Sequence, residues 1–174
     1  FIMPPKNTYR AAIHGYLGGQ AGAGAMADAL LGKINPSGKL AETWPEQLED
    51  TPCHQYYPST RPTAEYREGL FVGYRYYDTA GVAVRYPFGH GLTYTSFDLS
   101  TEQTSELSFR VTVTNTGSRS GKNAVMLFVQ KPCGILGNPA RELVAFRKTE
   151  TLAPGESQTL ELTSTRYQLS SYDD

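Results

Sequence analysis

The stretch Leu107-Ser108-Phe109-Arg110-Val111-Thr112-Val113-Thr114-Asn115-Thr116-Gly117 decides the fold. Leu107, Phe109, Val111 and Val113 share one parity, while Ser108, Arg110, Thr112 and Thr114 share the other. A strand with that pattern buries one face in a core and turns the other to water. Asn115-Thr116-Gly117 then has the chemistry of a turn. Towards the C-terminus, Ala124 to Gln130 reads as a more continuous apolar strand and Leu143 to Thr149 as another. Leu160 and Leu162 mark a further strand, reached through a Pro154-Gly155 turn. Towards the N-terminus, Gly89-His90-Gly91 turns the chain into a strand over Thr93 to Leu99. Strands so regularly spaced, separated by turn signals and without helices, predict an all-β sandwich of about seven strands.

Upstream of Pro87 the pattern changes. Tyr66 to Asp78 places Leu70, Val72, Tyr74 and Tyr76 on one parity, which predicts an extended strand followed by a turn at Gly81. Residues 46–63 are rich in Pro, Tyr, Ser, Thr and acidic residues without periodicity and read as a surface loop. Before them, Lys39 to Trp44 alternates as a short strand. Ala25, Met26, Ala29, Leu30 and Ile34 recur at three- and four-residue steps, as on a buried helix face, with Gly32 or Asn35-Pro36 as the stop. Tyr9 to Leu17 also reads as helix. Three regions result: an α/β piece over 1–45, a connector with an aromatic strand over 46–85, and the sandwich over 86–174. The first is too short to make its own core. It must pack on other sequence or a partner chain, so exposed apolar surface at Met26, Leu30 and Ile34, and with it self-association, is expected.

Composition excludes several classes. Sixteen basic and 17 acidic side chains leave a net charge of −1, so no field gathers phosphate backbones or anionic lipid, and neither nucleic acid nor a membrane is an expected partner. No apolar run approaches the ~20 residues that span a bilayer. The chain begins at Phe1 and reads as an excised piece. Cys53 and Cys133 are far apart, form no CxxC pair and keep no ligand-like spacing to His14, His54 or His90, so no metal is expected and both are read as free thiols. Free thiols favour a cytoplasmic, reducing location over secretion.

Three motifs, in order, carry a family resemblance. Gly18-Gly19-Gln20, followed by Ala25 to Gly32 and Asn35-Pro36-Ser37-Gly38-Lys39-Leu40, resembles the end of the α/β-sandwich domain of family 3 glycoside hydrolases. Tyr66-Arg67-Glu68-Gly69-Leu70-Phe71-Val72-Gly73-Tyr74-Arg75-Tyr76-Tyr77-Asp78 resembles the segment leading out of that domain. Pro87-Phe88-Gly89-His90-Gly91-Leu92-Thr93-Tyr94-Thr95 is similar to the lead into the family's fibronectin type III-like, immunoglobulin-like domain. Val111 to Gly117 and Pro154-Gly155-Glu156-Ser157 continue the match, so the resemblance covers nearly the whole chain. It implies a mainly β structure: a fibronectin type III-like β-sandwich preceded by a short α/β remnant.

The resemblance also implies a parent that is a retaining, β-glucosidase-like hydrolase acting on terminal β-linked glucose or a related sugar with two carboxylates. The family's nucleophile is an aspartate in a barrel, and its acid/base is usually a glutamate upstream of the region matched here. Neither motif is present, so no residue is assigned a catalytic role and the isolated fragment is expected to be inactive. The remaining catalytic domains would be its partners, and oligosaccharide or glycoside would be reached through them. No cofactor is implied. Tyr66, Tyr74, Arg75 and Tyr76 are assigned to packing between domains, since tyrosines offer broad amphipathic surfaces and an arginine there pairs with a carboxylate or carbonyl. Glu68 is the one candidate for a substrate rim.

Other constellations weigh less. Glu65 with Glu68, and Glu46 with Glu49, have helical spacing but lie in loop or strand sequence and read as solvated. Gly22-Ala23-Gly24-Ala25-Met26-Ala27 matches a GxGxxA fingerprint with Glu42 near the place of a ribose acid, but a dinucleotide site needs a strand ending at the glycines. Ser37 has no nucleophile-elbow context, and His54 and His90 lack local partners to orient them. The alternative of a different class is a carbohydrate-binding or adhesion module built on the sandwich.

Overall fold

The computed structural model describes residues 6–59, 62–132 and 134–173, with Lys6 described in its backbone only. Cys133, read above as a free thiol, and Asp174 lie outside the described residues.

Two sheets face each other. The first holds β3 (Phe97–Ser105), β4 (Ser108–Asn115) and β7 (Ser157–Thr163) in the order β3-β4-β7, all antiparallel. The second pairs β5 (Ala124–Val129) with β6 (Glu142–Lys148). The alternation over 107–113 does what its period demands. Val111 and Val113 enter a core with Leu160 and Leu162 of β7, Val125 of β5 and Leu152. The opposite parity lies in water as rows of paired hydroxyls, Thr112 with Thr159 at 3.0 Å and Thr114 with Ser157 at 2.7 Å, and Arg110 stands between Glu102 and Glu161.

The sandwich therefore has five strands among the described residues, not about seven. Pro132, Gly134, Gly137 and Pro139 fall between β5 and β6, where prolines and glycines suit turns and spoil a ladder. After β7, Thr165 caps the short helix α3 (Arg166–Leu169), its hydroxyl accepting from the Gln168 amide. The strand expected over Thr93 to Leu99 begins only at Phe97, because Thr93 and Tyr94 are bound elsewhere.

Three further expectations need correction. Tyr66 to Asp78 is not a strand: turns lead to Gly73, and α2 (Tyr74–Ala80) follows. Gly73 (φ 60°) starts the helix and Gly81 (φ 66°) closes it in the left-handed region, so the glycines act as helix punctuation and the apparent alternation is broken by them. Tyr9 to Leu17 is not helical. Tyr16 itself has φ 49°, and the segment is held by long-range contacts instead: Tyr9 Oη to Tyr86 Oη at 3.0 Å, His14 edge-on to Trp44 at 4.8 Å, and the Ala41 amide donating to Tyr16 Oη. The strand expected over Lys39 to Trp44 shrinks to β1 (Trp44–Pro45), paired with β2 (Val84–Tyr86).

The helix predicted around Ala25 exists as α1 (Gly22–Leu30), but of its predicted buried face only Ala29 is buried. Met26, Ile34 and Leu30, the last 70 % exposed, face water, as the shortness of this region required. Its C-terminal end is tied to the sandwich. Asn35 Nδ2 donates to Ser120 O, and Asn35 Oδ1 accepts from Thr93 Oγ1 and the Tyr94 amide. Tyr94 Oη donates to Ala29 O and Arg119 to Gly32 O. Gly91 approaches the Gly38 backbone so closely that an added Cβ would collide with the Gly38 carbonyl oxygen.

Candidate functional site

Helix α2 is where the connector meets the sandwich. Seven residues make fewer than two full turns, too little to be stable alone, so tertiary contacts hold it. Tyr74 stacks on Phe88 (4.6 Å between centroids, 24°) and stands edge-on to Phe128 of β5 at 5.9 Å. Its hydroxyl accepts a 2.7 Å hydrogen bond from the Leu143 amide of β6. One turn on, Asp78 accepts from Arg141 Nε at 2.6 Å, and the same guanidinium lies 4.8 Å from the Phe128 ring centre. Thr79 Oγ1 accepts from the Ala140 amide. Arg75 approaches Glu142 at 3.8 Å, and Lys131 meets that carboxylate at 2.6 Å. The third side of the helix is Tyr77, which is buried, and its hydroxyl is pushed up to about 12, by burial first and then by the nearby Asp50 carboxylate.

On the other side of α2 an open cleft of about 560 Å³ is lined by Glu49, His54, Tyr56, Glu68, Phe71 and Tyr76, among others. It adjoins a smaller hollow of about 240 Å³ that shares Gln55, Tyr56 and Arg67 with it. Arg67 pairs with Glu65 and lies 4.6 Å from the Tyr56 ring centre. The walls combine carboxylates, an imidazole and aromatic faces, which is chemistry suited to a hydroxyl-rich ligand.

The structure thus separates the residues grouped by sequence. Tyr74 and Arg75 face the sandwich, Glu68 and Tyr76 line the cleft, and Tyr66 is 91 % exposed and touches neither. Of the paired glutamates, Glu46 is bound to Arg85 at 2.7 Å and Glu65 to Arg67. Gly22 to Ala27 opens α1 with no strand before it among the described residues, so the dinucleotide fingerprint lacks its scaffold. His90 stacks on Tyr86 at 4.9 Å. Its pKa is lowered by burial and by the Lys39 ammonium. Cys53 is a free thiol, half-buried. Among the described residues no three His, Cys, Asp or Glu side chains gather as a metal site, and no helix is long and apolar enough to cross a membrane.

Sequence reasoning missed Asp78, Thr79 and Arg141. Their signal would have been helical: Arg75, Asp78 and Thr79 lie three and four residues apart, but only if Gly73 and Gly81 are taken as caps.

Residues 1–94 match the model of the glycosyl hydrolase family 3 C-terminal domain. The chain belongs to glycoside hydrolase family 3. Residues 123–174 match a fibronectin type III-like domain, in keeping with the mainly β sandwich and the α/β piece before it. Thermostable β-glucosidase B of Acetivibrio thermocellus is 43 % identical over 169 residues, which are 92 % of this chain and 22 % of that protein. A β-glucosidase of Ruminococcus albus is 40 % identical over 94 % of this chain and 18 % of its own length. Among solved structures, a β-glucosidase from Paenibacillus barengoltzii superposes with a TM-score of 0.83 at 42 % identity, over 88 % of this chain and 17 % of that one. β-Glucosidase 3B from Thermotoga neapolitana, in complex with glycerol, gives 0.79 at 40 %, over 89 % and 23 %. The chain spans about a fifth of the length of the family 3 relatives it matches.

Proposed function

We propose that this chain is the structural C-terminal portion of a retaining β-glucosidase-like family 3 enzyme that hydrolyses terminal β-linked glucose or a related sugar. The observation that carries the proposal is the docking of α2: Tyr74, Asp78 and Arg141 lock the connector onto the β5–β6 sheet, so residues upstream are held at a set distance from the sandwich. A rigid strut of this kind lets a sandwich buttress domains that carry chemistry. The nucleophile and the acid/base are supplied by polypeptide outside these residues, and the chain alone is inactive. The division into residues 1–45, 46–85 and 86–174 belongs to the same reading. So does the packing role of Tyr66, Tyr74, Arg75 and Tyr76, with Tyr66 meeting a surface outside this chain. Glu68 forms part of a substrate rim, supported by its place in the cleft beside His54 and Tyr76.

The test is hydrolysis of a chromogenic β-glucoside by the 174-residue chain, alone and mixed with a polypeptide carrying a family 3 barrel and upstream α/β domain. Activity on mixing only is the expected result. Turnover by the chain alone would sink the reading, because it would place both carboxylates here.

A further inference from the structure

Six of the eight acidic side chains between residues 28 and 78 are held by the chain itself. Asp28 meets Lys33 at 3.1 Å, Glu46 meets Arg85 and Glu65 meets Arg67. Glu42 accepts from Trp44 Nε1, Asp50 from the Gln47 amide and Asp78 from Arg141. Glu49 and Glu68 have no such partner among the described residues, and both line the cleft beside α2. The side chains of His54 and Gln55, which also line it, are likewise unengaged. A merely solvated region would scatter its unpaired carboxylates over the surface; here both open on one concavity.

The cleft is built on hydrogen-bonded turns. The single turn Leu48–Asp50 is closed by the Thr51 amide on Leu48 O, and the His54 and Tyr56 amides follow with bonds to Thr51 O and Cys53 O. Further on, the Phe71 amide donates to Glu68 O at 2.9 Å, which fixes Glu68 and Phe71 to one turn. Tyr76, two residues after Tyr74 on α2, lies on the helix side away from the sandwich and lines the same space. Phe71 and Tyr76 are half-buried, whereas Tyr56 already has the Arg67 guanidinium 4.6 Å from its ring centre. The open volume of about 560 Å³ falls within the ~300–1,000 Å³ of small-molecule sites.

These groups narrow the ligand. Carboxylates only accept, so the ligand must bring donors, and a hydroxyl bonds more strongly to a charged acceptor than to a neutral one. The rings require an apolar face to pack against. A pyranose has both, a rim of hydroxyls and a face of C–H groups. An acidic sugar does not fit, because the guanidinium on the wall, Arg67, is already engaged by Glu65 and two carboxylates would face the ligand's own.

We propose that this cleft binds an uncharged pyranose unit of a β-linked oligosaccharide, with Glu49 and Glu68 accepting its hydroxyls and Phe71, beside Tyr76, covering its ring face. The site rests on the reading of Glu68 as part of a substrate rim and extends it to Glu49 and Phe71. Sugar binding thereby becomes a property of this chain's own residues.

The test follows the amide chemical shifts of the 174-residue chain as cellobiose is added. Saturable shifts at Glu49, His54, Glu68 and Phe71 are expected, with a dissociation constant of about 1–10 mM, and none with a disaccharide ending in glucuronic acid. Glu49→Gln and Glu68→Gln keep the shape and remove the charge. Each should weaken binding about fivefold or more with an unchanged circular dichroism spectrum, since neither carboxylate holds a partner in the fold. No saturable shift, shifts confined to the sandwich strands, equal binding of the acidic disaccharide or undiminished affinity in both variants would overturn the proposal. The titration involves no turnover, so its failure leaves the mixing experiment as it was. Turnover by the chain alone would instead sink the placement of the two catalytic carboxylates and leave this site standing.

Discussion

Asn115 shows how one side chain can hold a corner of the molecule. It ends the alternating strand, is fully buried, and uses all its polar atoms: Oδ1 accepts from Thr95 Oγ1 and the Gly117 amide, while Nδ2 donates to Arg119 O and Leu152 O. Removing it leaves buried groups unpaired, which costs more than the net worth of the bonds themselves. Asn115→Ala is expected to destabilise the chain by about 3 kcal/mol, read as a lower urea midpoint with an unchanged slope. Asn115→Asp should not rescue it, because a carboxylate keeps both acceptor roles but faces two carbonyl oxygens with a negative charge. In the sequence this residue was visible only as the first letter of an Asn-Thr-Gly turn, since its four partners come from three separate segments.

Helix α2 gains its stability through contacts, and Tyr74 offers a way to divide them. Tyr74→Phe keeps the ring stacked on Phe88 and loses only the acceptor for the Leu143 amide, so a loss of about 1 kcal/mol is expected. Tyr74→Ala also removes the ring from between Phe88 and Phe128 and should cost about 3 kcal/mol, the range for truncating a packed aromatic. Hydrogen exchange at the α2 amides checks the assignment. The helix should open more easily in Tyr74→Ala while β4 and β7 keep their protection, because those strands lie in the other sheet. Equal loss of protection in both would mean that the helix and the sandwich form one cooperative unit.

The cluster around His90 links the N-terminal loop, the β1–β2 pair and the Gly89-His90-Gly91 turn, so its titration acts on the chain as a unit. His90 stacks on Tyr86, which bonds Tyr9 and meets Trp44 edge-on, while Lys39 faces the imidazole and donates to Gly91 O. Arg85 and Glu46, beside Tyr86, are already paired with each other. The pKa of His90 lies below its ordinary 6.5, by burial and then by the Lys39 charge, so the folded state prefers the neutral ring more than the unfolded state does. Its contribution to stability is complete above 6.5 and is lost as the pH falls through that value towards the lowered folded one. Melting temperatures taken from pH 8 to pH 5 should fall at the acid end, and His90→Phe, which keeps a ring on Tyr86, should flatten that fall. An unchanged profile in His90→Phe would assign the acid sensitivity to other groups.

Local pattern sufficed for β4, β5, β6 and β7, because period-two alternation and apolar runs bounded by turn residues are properties of neighbouring letters. The motifs around Tyr66 to Asp78 and Pro87 to Thr95 likewise sufficed for the family, since their residues stand in unbroken order. What failed was whatever depended on distant partners. The strand expected over Tyr66 to Asp78 became a helix because Gly73 and Gly81 cap it and β5–β6 receives Tyr74 and Asp78. The helix expected over Tyr9 to Leu17 is instead an irregular segment bound through Tyr9, His14 and Tyr16 to residues far along the chain. The separation of Tyr76 from Tyr74 also came from folding, since a helix sends residues two apart to opposite faces whereas a strand would have put both on one face by parity. Neighbours in sequence set the local preference; burial against remote surfaces decided between the alternatives that preference left open.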